Sequence, residues 1–329
     1  MPRTVNAQHH RFALTRPFRI ARGEKSFADV ITATVTDGEF QGRGEGVPYP
    51  RYGESIESAL AEIETARPAL EAGAGRDELQ SLLAPGAARN AIDCALWDLE
   101  SRQSGRDVAD RLGLPPARPL VSAITLGIDT PEAMAEAARS AAGAPLLKVK
   151  VNADDPAARI RAVRAAAPEA ALIVDPNESW DEALVRAIQP VLLEAGVDLL
   201  EQPVPAAEDD WLEGFVPAVP ICADEAVHVV ADLDTVARRY QAVNVKLDKS
   251  GGLTAALDLA RATRARGLGL MTGCMVSSSL SIAPALFIAA LSDFADLDGP
   301  LWLREDRDGG VRDEGGVLLP PAPGFWGSR

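Results

Sequence analysis

Eight short aliphatic or β-branched runs recur between residues 121 and 298, and this repetition constrains the fold more than any other feature of the chain. Stretches rich in Ala, Arg and Glu separate the runs. Such alternation predicts a parallel βα array. A closed barrel accounts for eight repeats better than an open sheet, because no run is followed by a GxGxxG or GxxxxGK[ST] turn. The predicted strands are 121–126, 146–151, 171–175, 197–201, 220–224, 243–247, 268–272 and 294–298.

The first 115 or so residues have a different pattern. Residues 28–47 alternate apolar and polar side chains around Asp37-Gly38, which predicts a β-hairpin. Helical patterns follow at about 54–70 and 87–103. A barrel needs about 250 residues, so the 329-residue chain has room for a second, smaller domain. We predict an α+β capping domain (1–115), a barrel (116–300) and a C-terminal segment (301–329) that packs back on the capping domain.

The scarcity of histidine and cysteine restricts the chemistry. The chain has three of each, and no spacing matches a zinc site or a redox pair. Serine–histidine, cysteine–histidine and zinc–histidine catalysis therefore lose support, which leaves acid–base work to lysine or carboxylate. The formal net charge of −15 disfavours nucleic acid and anionic membranes as partners. Without a long apolar span or an apolar leader segment, a cytoplasmic protein is expected.

Acidic side chains end three successive predicted strands, at the face where barrel enzymes place their active sites. These residues are Asp175, Glu201 and Asp224. Three carboxylates brought to one point repel one another and need a cation, and oxygen ligands without His or Cys suit Mg²⁺. Each acid alone is compatible with a solvated loop. The three together, with lysines beside them, favour a metal site.

Lysines flank this acidic trio. Lys148 and Lys150 share one face of the second predicted strand because side chains alternate along a strand. Lys246 lies at the end of the sixth, on a face predicted to carry Asn244 and Asp248 as well. Strands two and six lie opposite each other in an eight-stranded barrel, so amines are expected on both faces of a metal-bound substrate. A lysine near a metal ion can lose its proton and act as a base, although a salt bridge explains any one of them alone.

Nine stretches in order along the chain resemble the enolase superfamily, in its muconate-lactonizing subgroup. Within that subgroup they are most similar to the dipeptide epimerases of the L-Ala-D/L-Glu type. The acid trio and the KxK pair mark the superfamily, and DLDGP near strand eight is the more specific mark of these epimerases. The stretches are RGEGVPYPRYGES (43–55), GAARNAIDCALWDLE (86–100), LLKVKV (146–151), LIVDPNESW (172–180), LLEQPVPA (199–206), PICADEAVH (220–228), VNVKLDKSGGL (243–253), LMTGCM (270–275) and ADLDGPLWL (295–303).

The resemblance implies a modified TIM barrel of the (β/α)7β form, with an α+β capping domain whose loops set specificity. It also implies a role for each of nine residues. Asp175, Glu201 and Asp224 would bind Mg²⁺, Lys150 and Lys246 would be the acid/base catalysts with Lys148 beside the carboxylate, Asp296 and Asp298 would bind the substrate α-ammonium, and Thr125 would contact substrate.

Residues 19–27 are expected to hold the determinant of side-chain preference. Lys25 stands where these epimerases commonly have arginine, which implies an acidic second residue held by a cation. A solvated loop charge is the alternative for Lys25, and Arg22 is the other candidate for this contact.

The implied reaction is a Mg²⁺-dependent, two-base proton transfer at the α-carbon of the C-terminal residue, interconverting L-Ala-L-Glu and L-Ala-D-Glu. The metal would stabilise the charge that develops on the carboxylate. The expected partner is a small dipeptide, of the kind released in murein-peptide recycling, and a homo-oligomer is compatible with the sequence. Open alternatives are an N-acylamino acid racemase, an o-succinylbenzoate synthase or a cycloisomerase of the same subgroup, a Schiff-base aldolase using Lys150, and a binding protein without activity.

Overall fold

The amino-terminal half of the capping domain is a three-stranded antiparallel sheet. The computed structural model describes residues 2–141 and 143–327. Strand β1 (Thr4–Ile20) pairs with β2 (Gly23–Asp37), and β2 pairs with β3 (Phe40–Gly46) across the Asp37-Gly38 turn. The predicted hairpin at 28–47 is therefore confirmed. The long strand β1 was not predicted, because most of its side chains are exposed or half-buried and show no clean alternation.

Four helices complete the capping domain. Helix α1 (Ile56–Glu71) begins at a capping box, in which the Ser55 hydroxyl accepts from the Ser58 N–H at 3.1 Å and the Ser58 hydroxyl accepts from the Ser55 N–H. The two predicted helices correspond to α1 and α3, within two residues at each end. The others are α2 (Arg76–Leu82), α3 (Ala87–Ser104) and α4 (Val108–Leu112).

Helix α3 lies directly on strand β3, and three glycines allow this close approach. Gly42, Gly44 and Gly46 alternate along β3 and so face the same side. A Cβ atom built on Gly42 would lie 2.1 Å from the carbonyl oxygen of Ala95, and one on Gly46 would lie 2.2 Å from that of Ala87. No side chain fits at these positions, so the glycines bring the helix backbone against the strand.

Residues 124–296 form the predicted barrel. All eight predicted strands are present and pair in chain order as parallel neighbours. Within the described residues the last strand is not followed by a helix of the array, in agreement with the predicted (β/α)7β form, and two 3₁₀ turns (Ala206–Glu208 and Asp210–Leu212) replace the α-helix after the fourth strand. The first predicted run divides into β4 (Leu120–Val121) and β5 (Ile124–Leu126). The remaining elements are α5 (Pro131–Ser140), β6 (Leu146–Lys150), α6 (Pro156–Ala166), β7 (Ala171–Asp175), α7 (Glu182–Glu194), β8 (Leu199–Glu201), β9 (Ile221–Ala223), α8 (Leu233–Arg239), β10 (Ala242–Val245), α9 (Leu247–Ser250), α10 (Leu253–Ala265), β11 (Gly269–Gly273), α11 (Ser279–Ala289) and β12 (Phe294–Asp296).

The first and last barrel strands meet and close the sheet. The backbone N–H of Ala123 donates to the carbonyl of Ala295 at 2.8 Å, and that of Leu297 donates to the Ser122 hydroxyl at 2.9 Å. One layer of small and aliphatic side chains fills the barrel below the active face, with one residue from or beside nearly every strand: Ala123, Leu146, Ile173, Leu199, Cys222, Ala242 and Met271.

The C-terminal segment contacts both parts of the molecule. Strands β13 (Arg312–Asp313) and β14 (Val317–Leu319) form a small antiparallel sheet with β4. Further on, the indole N–H of Trp326 donates to the carbonyl of Arg43 at 2.9 Å, and the Gly327 N–H donates to Asp98 at 2.8 Å. Within the described residues, no helix combines the length and apolar character needed to cross a membrane.

Asp248 is not on the strand face where the sequence predicted it. The chain turns into α9 directly after Lys246, so Asp248 points toward the capping domain. Its carboxylate accepts from the Val47 N–H and from the Asn90 side chain, both at 2.8 Å. The prediction was wrong because β10 ends at Val245, two residues earlier than expected. Asp248 instead joins the capping domain to the barrel.

Candidate active site

The three acids of the predicted metal site lie together at the carboxyl ends of adjacent strands. Asp175 ends β7, Glu201 ends β8 and Asp224 directly follows β9, and each side chain is at most 2% exposed. The ammonium group of Lys148 lies between the first two, 3.1 Å from Asp175 Oδ2 and 2.7 Å from Glu201 Oε2. The site thus brings together acids from three strands and an amine from a fourth.

The other two predicted lysines approach these acids from different sides. Lys150, the last residue of β6, places its Nζ 2.5 Å from Asp175 Oδ2. Lys246 follows β10 and places its Nζ 2.7 Å from Asp224 Oδ2. Strands β6 and β10 are four positions apart in the eight-stranded sheet. The two amines therefore lie on opposite sides of the carboxylates, with Glu201 on β8, the middle one of the three strands between them.

Burial and close charges shift the pKa values of these groups in opposite directions. Burial opposes ionisation of Asp175, but Lys150 and Lys148 outweigh it and lower its pKa to about 2. Burial and the neighbouring charge of Asp175 raise the pKa of Glu201 to about 7. Burial disfavours the charged form of Lys246, but Asp224 outweighs it and raises the pKa of this amine. The acids are thus only partly compensated by the amines.

A hard cation fits the composition of this site. Six buried carboxylates face four buried ammonium groups and the guanidinium of Arg22, which still leaves an excess of negative charge that a dication would offset. Two nearby amide oxygens, Asn177 Oδ1 and Asn244 Oδ1, are buried without a hydrogen-bond partner among the described residues. Among the described residues, no three His, Cys, Asp or Glu side chains are already arranged at coordination distance around one point. The acids are Asp175, Glu201, Asp224, Glu225, Asp296 and Asp298, and the amines are Lys148, Lys150, Lys246 and Lys249.

A second acidic pair lies beside the trio, at the seam of the barrel. Asp296 ends β12 and accepts from Lys148 at 2.7 Å, while Asp298 accepts from the backbone N–H of Thr125 at 2.8 Å. The Thr125 hydroxyl lies 3.5 Å from Asp296 Oδ1. Burial, followed by the charge of Asp296, raises the pKa of Asp298 to about 6. This pair can accept a further cation, since Lys148 contacts only one member.

The hairpin of β1 and β2 projects Arg22 toward the barrel. Its guanidinium lies 3.1 Å from Glu178 Oε2 and 2.7 Å from Glu225 Oε1. Lys25 is exposed and lies over the ring of Tyr49, with its Nζ 4.8 Å from the ring centre. Of the two cations named for side-chain recognition, Arg22 is the one in contact with acids of the barrel loops.

The sequence analysis gave no role to Glu225 or Lys249. Glu225 immediately follows Asp224 and is buried beside it. Lys249 donates to Asp224 Oδ1 at 2.6 Å. A signal was available for Lys249, because only five of the 33 basic residues are lysines. Apart from Lys25, all of them lie in this buried cluster, whereas the chain uses arginine for its remaining basic positions.

Comparison with known proteins identifies the family. An N-terminal domain model of mandelate racemase / muconate lactonizing enzyme matches residues 3–113, and an enolase C-terminal domain-like model matches residues 132–325. The L-Ala-D/L-Glu epimerase of Escherichia coli K12 is 46% identical over 318 residues, which cover 96% of this chain and 99% of that protein. An N-acetyl-D-glutamate racemase from Pseudoalteromonas sp. is 42% identical over 91% of this chain and 95% of its own length.

Similar solved structures belong to the same family. An enolase family member from Agrobacterium tumefaciens, with homology to dipeptide epimerases and with bound sodium and L-Ala-L-Glu, has a TM-score of 0.96 and 49% identity over 99% of this chain and 100% of its own. A dipeptide epimerase from Enterococcus faecalis, complexed with Mg and L-Leu-L-Tyr, has a TM-score of 0.89 and 29% identity over 99% of each chain. The predicted superfamily and isomerase class are confirmed, and magnesium is the metal of several such neighbours. This chain belongs to the mandelate racemase / muconate lactonizing enzyme family of the enolase superfamily.

Proposed function

We propose that this protein is a Mg²⁺-dependent dipeptide epimerase that inverts the α-carbon of the C-terminal residue, interconverting L-Ala-L-Glu and L-Ala-D-Glu. The observation that carries the proposal is the placement of Lys150 and Lys246 on opposite sides of a buried carboxylate cluster. Inversion needs a proton removed from one face of a carbon and another returned to the opposite face. Two amines on opposite strands supply both functions.

Asp175, Glu201 and Asp224 are the proposed ligands of the metal. Bound there, Mg²⁺ would stabilise negative charge on the substrate carboxylate and lower the proton affinity of the nearby amines. Lys148, which contacts two of these acids, is positioned to donate to the same carboxylate. Lys150 and Lys246 exchange roles as base and acid according to which stereoisomer is bound.

Asp296 and Asp298 are the proposed binding site for the α-ammonium of the first residue. They are buried, adjacent and only partly compensated by Lys148, so a substrate cation would complete their charge balance. Thr125 fixes the pair through its backbone N–H and its hydroxyl. The acidic side chain of the second substrate residue is proposed to bind to the cations of the hairpin. Of the two, Arg22 reaches the barrel mouth, where the substrate carboxylate would take the place of Glu178 or Glu225 at its guanidinium.

An N-acylamino acid racemase is the second candidate, favoured by the 42% identity to the N-acetyl-D-glutamate racemase. Such an enzyme would use the same lysines and the same metal ligands. Its substrate has no α-ammonium, however, and would leave the charge of the buried Asp296 and Asp298 compensated by Lys148 alone. The acid pair therefore favours a substrate with a free amino terminus.

We also propose that the chain is organised as a capping domain (1–115), a barrel (116–300) and a C-terminal segment (301–329). The two family matches, which fall on 3–113 and 132–325, support the first boundary. The contacts of Trp326 and Gly327 with the capping domain support the proposed packing of the last segment. A cytoplasmic location remains part of the proposal.

Proton NMR of L-Ala-L-Glu in D₂O tests the function directly. With enzyme and Mg²⁺, the glutamate α-proton signal should disappear as deuterium enters, and signals of the L-Ala-D-Glu diastereomer should appear. EDTA should stop both changes, and N-acetyl-L-glutamate should be a much poorer substrate. Exchange of the α-proton without inversion would contradict the two-base site, and faster turnover of N-acetyl-L-glutamate would favour the racemase.

A further inference from the structure

Lys249 is a fully buried cation for which the proposed reaction has no use. Its side chain is 1% exposed, and its ammonium group donates three hydrogen bonds: 2.6 Å to Asp224 Oδ1, 2.5 Å to the Asp224 carbonyl and 3.0 Å to the Asn244 carbonyl. An ammonium group has three N–H donors, so all of them are used. The amine is therefore fixed within the protein and does not face a bound substrate.

These bonds hold one carboxylate from two sides. Lys249 binds Asp224 Oδ1, while Lys246 binds the other oxygen, Oδ2, at 2.7 Å. Lys249 also fixes the Asp224 backbone, so that the side chain and the main chain of this residue are oriented together. The end of β9 is thereby tied to the end of β10, which supplies the Asn244 carbonyl.

Asn244 extends the same layer to a second acid. Its side-chain N–H donates to Glu201 Oε1 at 2.8 Å, and the residue is fully buried. Its backbone carbonyl accepts from Lys249, so two of the three proposed metal ligands are oriented through one residue of β10 and one of α9, the turn that follows it. Partners that orient metal ligands commonly change metal affinity by about 10- to 100-fold when they are removed.

The turn that carries Lys249 is itself anchored by the capping domain. Helix α9 has only four residues, too few to be stable without contacts from the rest of the protein. Arg89 of α3 donates to the carbonyls of Ser250 at 2.7 Å and Gly251 at 3.1 Å. Gly251 has a φ of +79°, which ends the turn. The position of the amine is thus fixed from outside the barrel as well as from within it.

We propose that Lys249 and Asn244 are positioning residues that orient Asp224 and Glu201 and thereby set the affinity of the site for a divalent cation. The inference rests on the metal site of the proposed function. Neither residue contacts substrate in this assignment. The expected signature is a loss of metal affinity in protein that remains folded, with the loss in Lys249→Met exceeding that in Asn244→Ala because Lys249 fixes its acid and the adjoining backbone through three hydrogen bonds, whereas the Asn244 side chain makes one.

Mn²⁺ binding, followed by electron paramagnetic resonance of the free ion at 10 °C, tests the proposal. Wild type, Lys249→Met and Asn244→Ala are compared with Ser250→Ala, a matched control whose buried hydroxyl has no hydrogen-bond partner among the described residues. The Kd for Mn²⁺ should rise about tenfold or more in Lys249→Met, by a smaller factor in Asn244→Ala, and remain unchanged in Ser250→Ala. Circular dichroism at the same temperature verifies folding, and melting curves in EDTA separate stability from affinity.

The outcomes distinguish failure of the positioning role from failure of the proposed metal site. A lower melting temperature in EDTA with an unchanged Kd in both variants would overturn the positioning role, because a merely structural lysine would give that pattern. If Lys249→Met does not fold, Asn244→Ala decides the question alone through Glu201. Failure of wild type to bind Mn²⁺ would instead remove the metal site itself, and the positioning role with it.

Discussion

The strand ends of the barrel and the hairpin above them carry the same kinds of charged side chain in opposite settings. In the barrel, the ion-paired side chains of Lys148 and Asp175 are 2% and 1% exposed. At the hairpin, those of Arg19 and Glu24 are 53% and 43% exposed. Buried charges interact strongly and tolerate no loss of a partner, whereas exposed pairs are screened and contribute about 0–1 kcal/mol. On the proposed function, we therefore expect the barrel to fix the chemistry and the hairpin to adjust the choice of substrate.

The largest effect that this comparison predicts is at the two opposed lysines. Lys150→Ala or Lys246→Ala should abolish inversion, with a fall in kcat of at least about 10³-fold, because each removes one of the two proton carriers. Deuterium incorporation by NMR checks this, and exchange from a single stereoisomer in one variant would identify which face its remaining amine serves. Arg161→Ala, at an exposed ion pair on α6, is the control. Unimpaired inversion in either lysine variant would refute the two-base assignment.

The next largest effect is expected at the acid pair of the barrel seam. Asp298→Asn should lower kcat/KM for L-Ala-L-Glu by about 10- to 100-fold, the loss of a hydrogen bond to a charged group of about 1.5–3 kcal/mol. Turnover of the N-acetylated dipeptide serves as the internal reference. The ratio of the two substrates should fall in the variant. An equal loss on both substrates would mean that the acid does not bind the ammonium.

A smaller effect is expected at the hairpin. Substitutions there test whether its exposed cations determine the preference for an acidic second residue. Arg22→Met should reduce the preference for L-Ala-L-Glu over L-Ala-L-Met by about tenfold, since one forked charge-assisted contact is lost. Lys25→Met should reduce it less, because Lys25 is exposed over Tyr49. Steady-state KM values for both dipeptides measure the preference. A larger loss in Lys25→Met would reverse the assignment.

A further prediction concerns stability rather than turnover, at the junction between the two regions, where burial raises the pKa of Asp248 to about 7. A carboxyl group whose folded-state pKa is raised binds its proton more tightly when folded. The free energy of unfolding therefore falls as pH rises from about 4 to about 7, by up to about 1.4 kcal/mol per pH unit from this group. Asp248→Asn removes this titration. In urea unfolding, the free energy of unfolding of the variant should therefore rise relative to that of wild type between pH 5 and pH 7. Parallel pH profiles would show that Asp248 does not titrate in this range.

The sequence predicted the barrel well because its signal repeats. Each strand is a short apolar run, and six of the eight end in or are followed by a charged residue. The errors are therefore confined to strand ends, as at Asp248, where the onset of α9 left no periodic trace. The capping sheet was predicted less completely. Strand β1 has few buried side chains, and its partner β2 holds it through the backbone, which sequence patterns do not reveal.

For the site, residue types at strand ends were enough to suggest which groups converge. Burial was not predictable, and it separates Lys249 from an ordinary helix lysine. The contacts of Arg22 were equally hidden, because they join residues more than 150 positions apart. Such pairings depend on how the hairpin lies over the barrel, and only the tertiary structure provides that information.

The glycines of β3 have a consequence for how substrate reaches the site. With no side chains between them, β3 and α3 are interlocked backbone to backbone, and α3 is bonded in turn to the barrel through Arg89. Sliding of the whole cap would break these contacts at once. We expect the entrance to the site to open and close through the β1–β2 hairpin alone. The hairpin would bend where the pairing of its strands is irregular, between Ala13 and Phe18. Diffusion of dipeptide in and out then requires the bending of a few residues rather than the displacement of a domain.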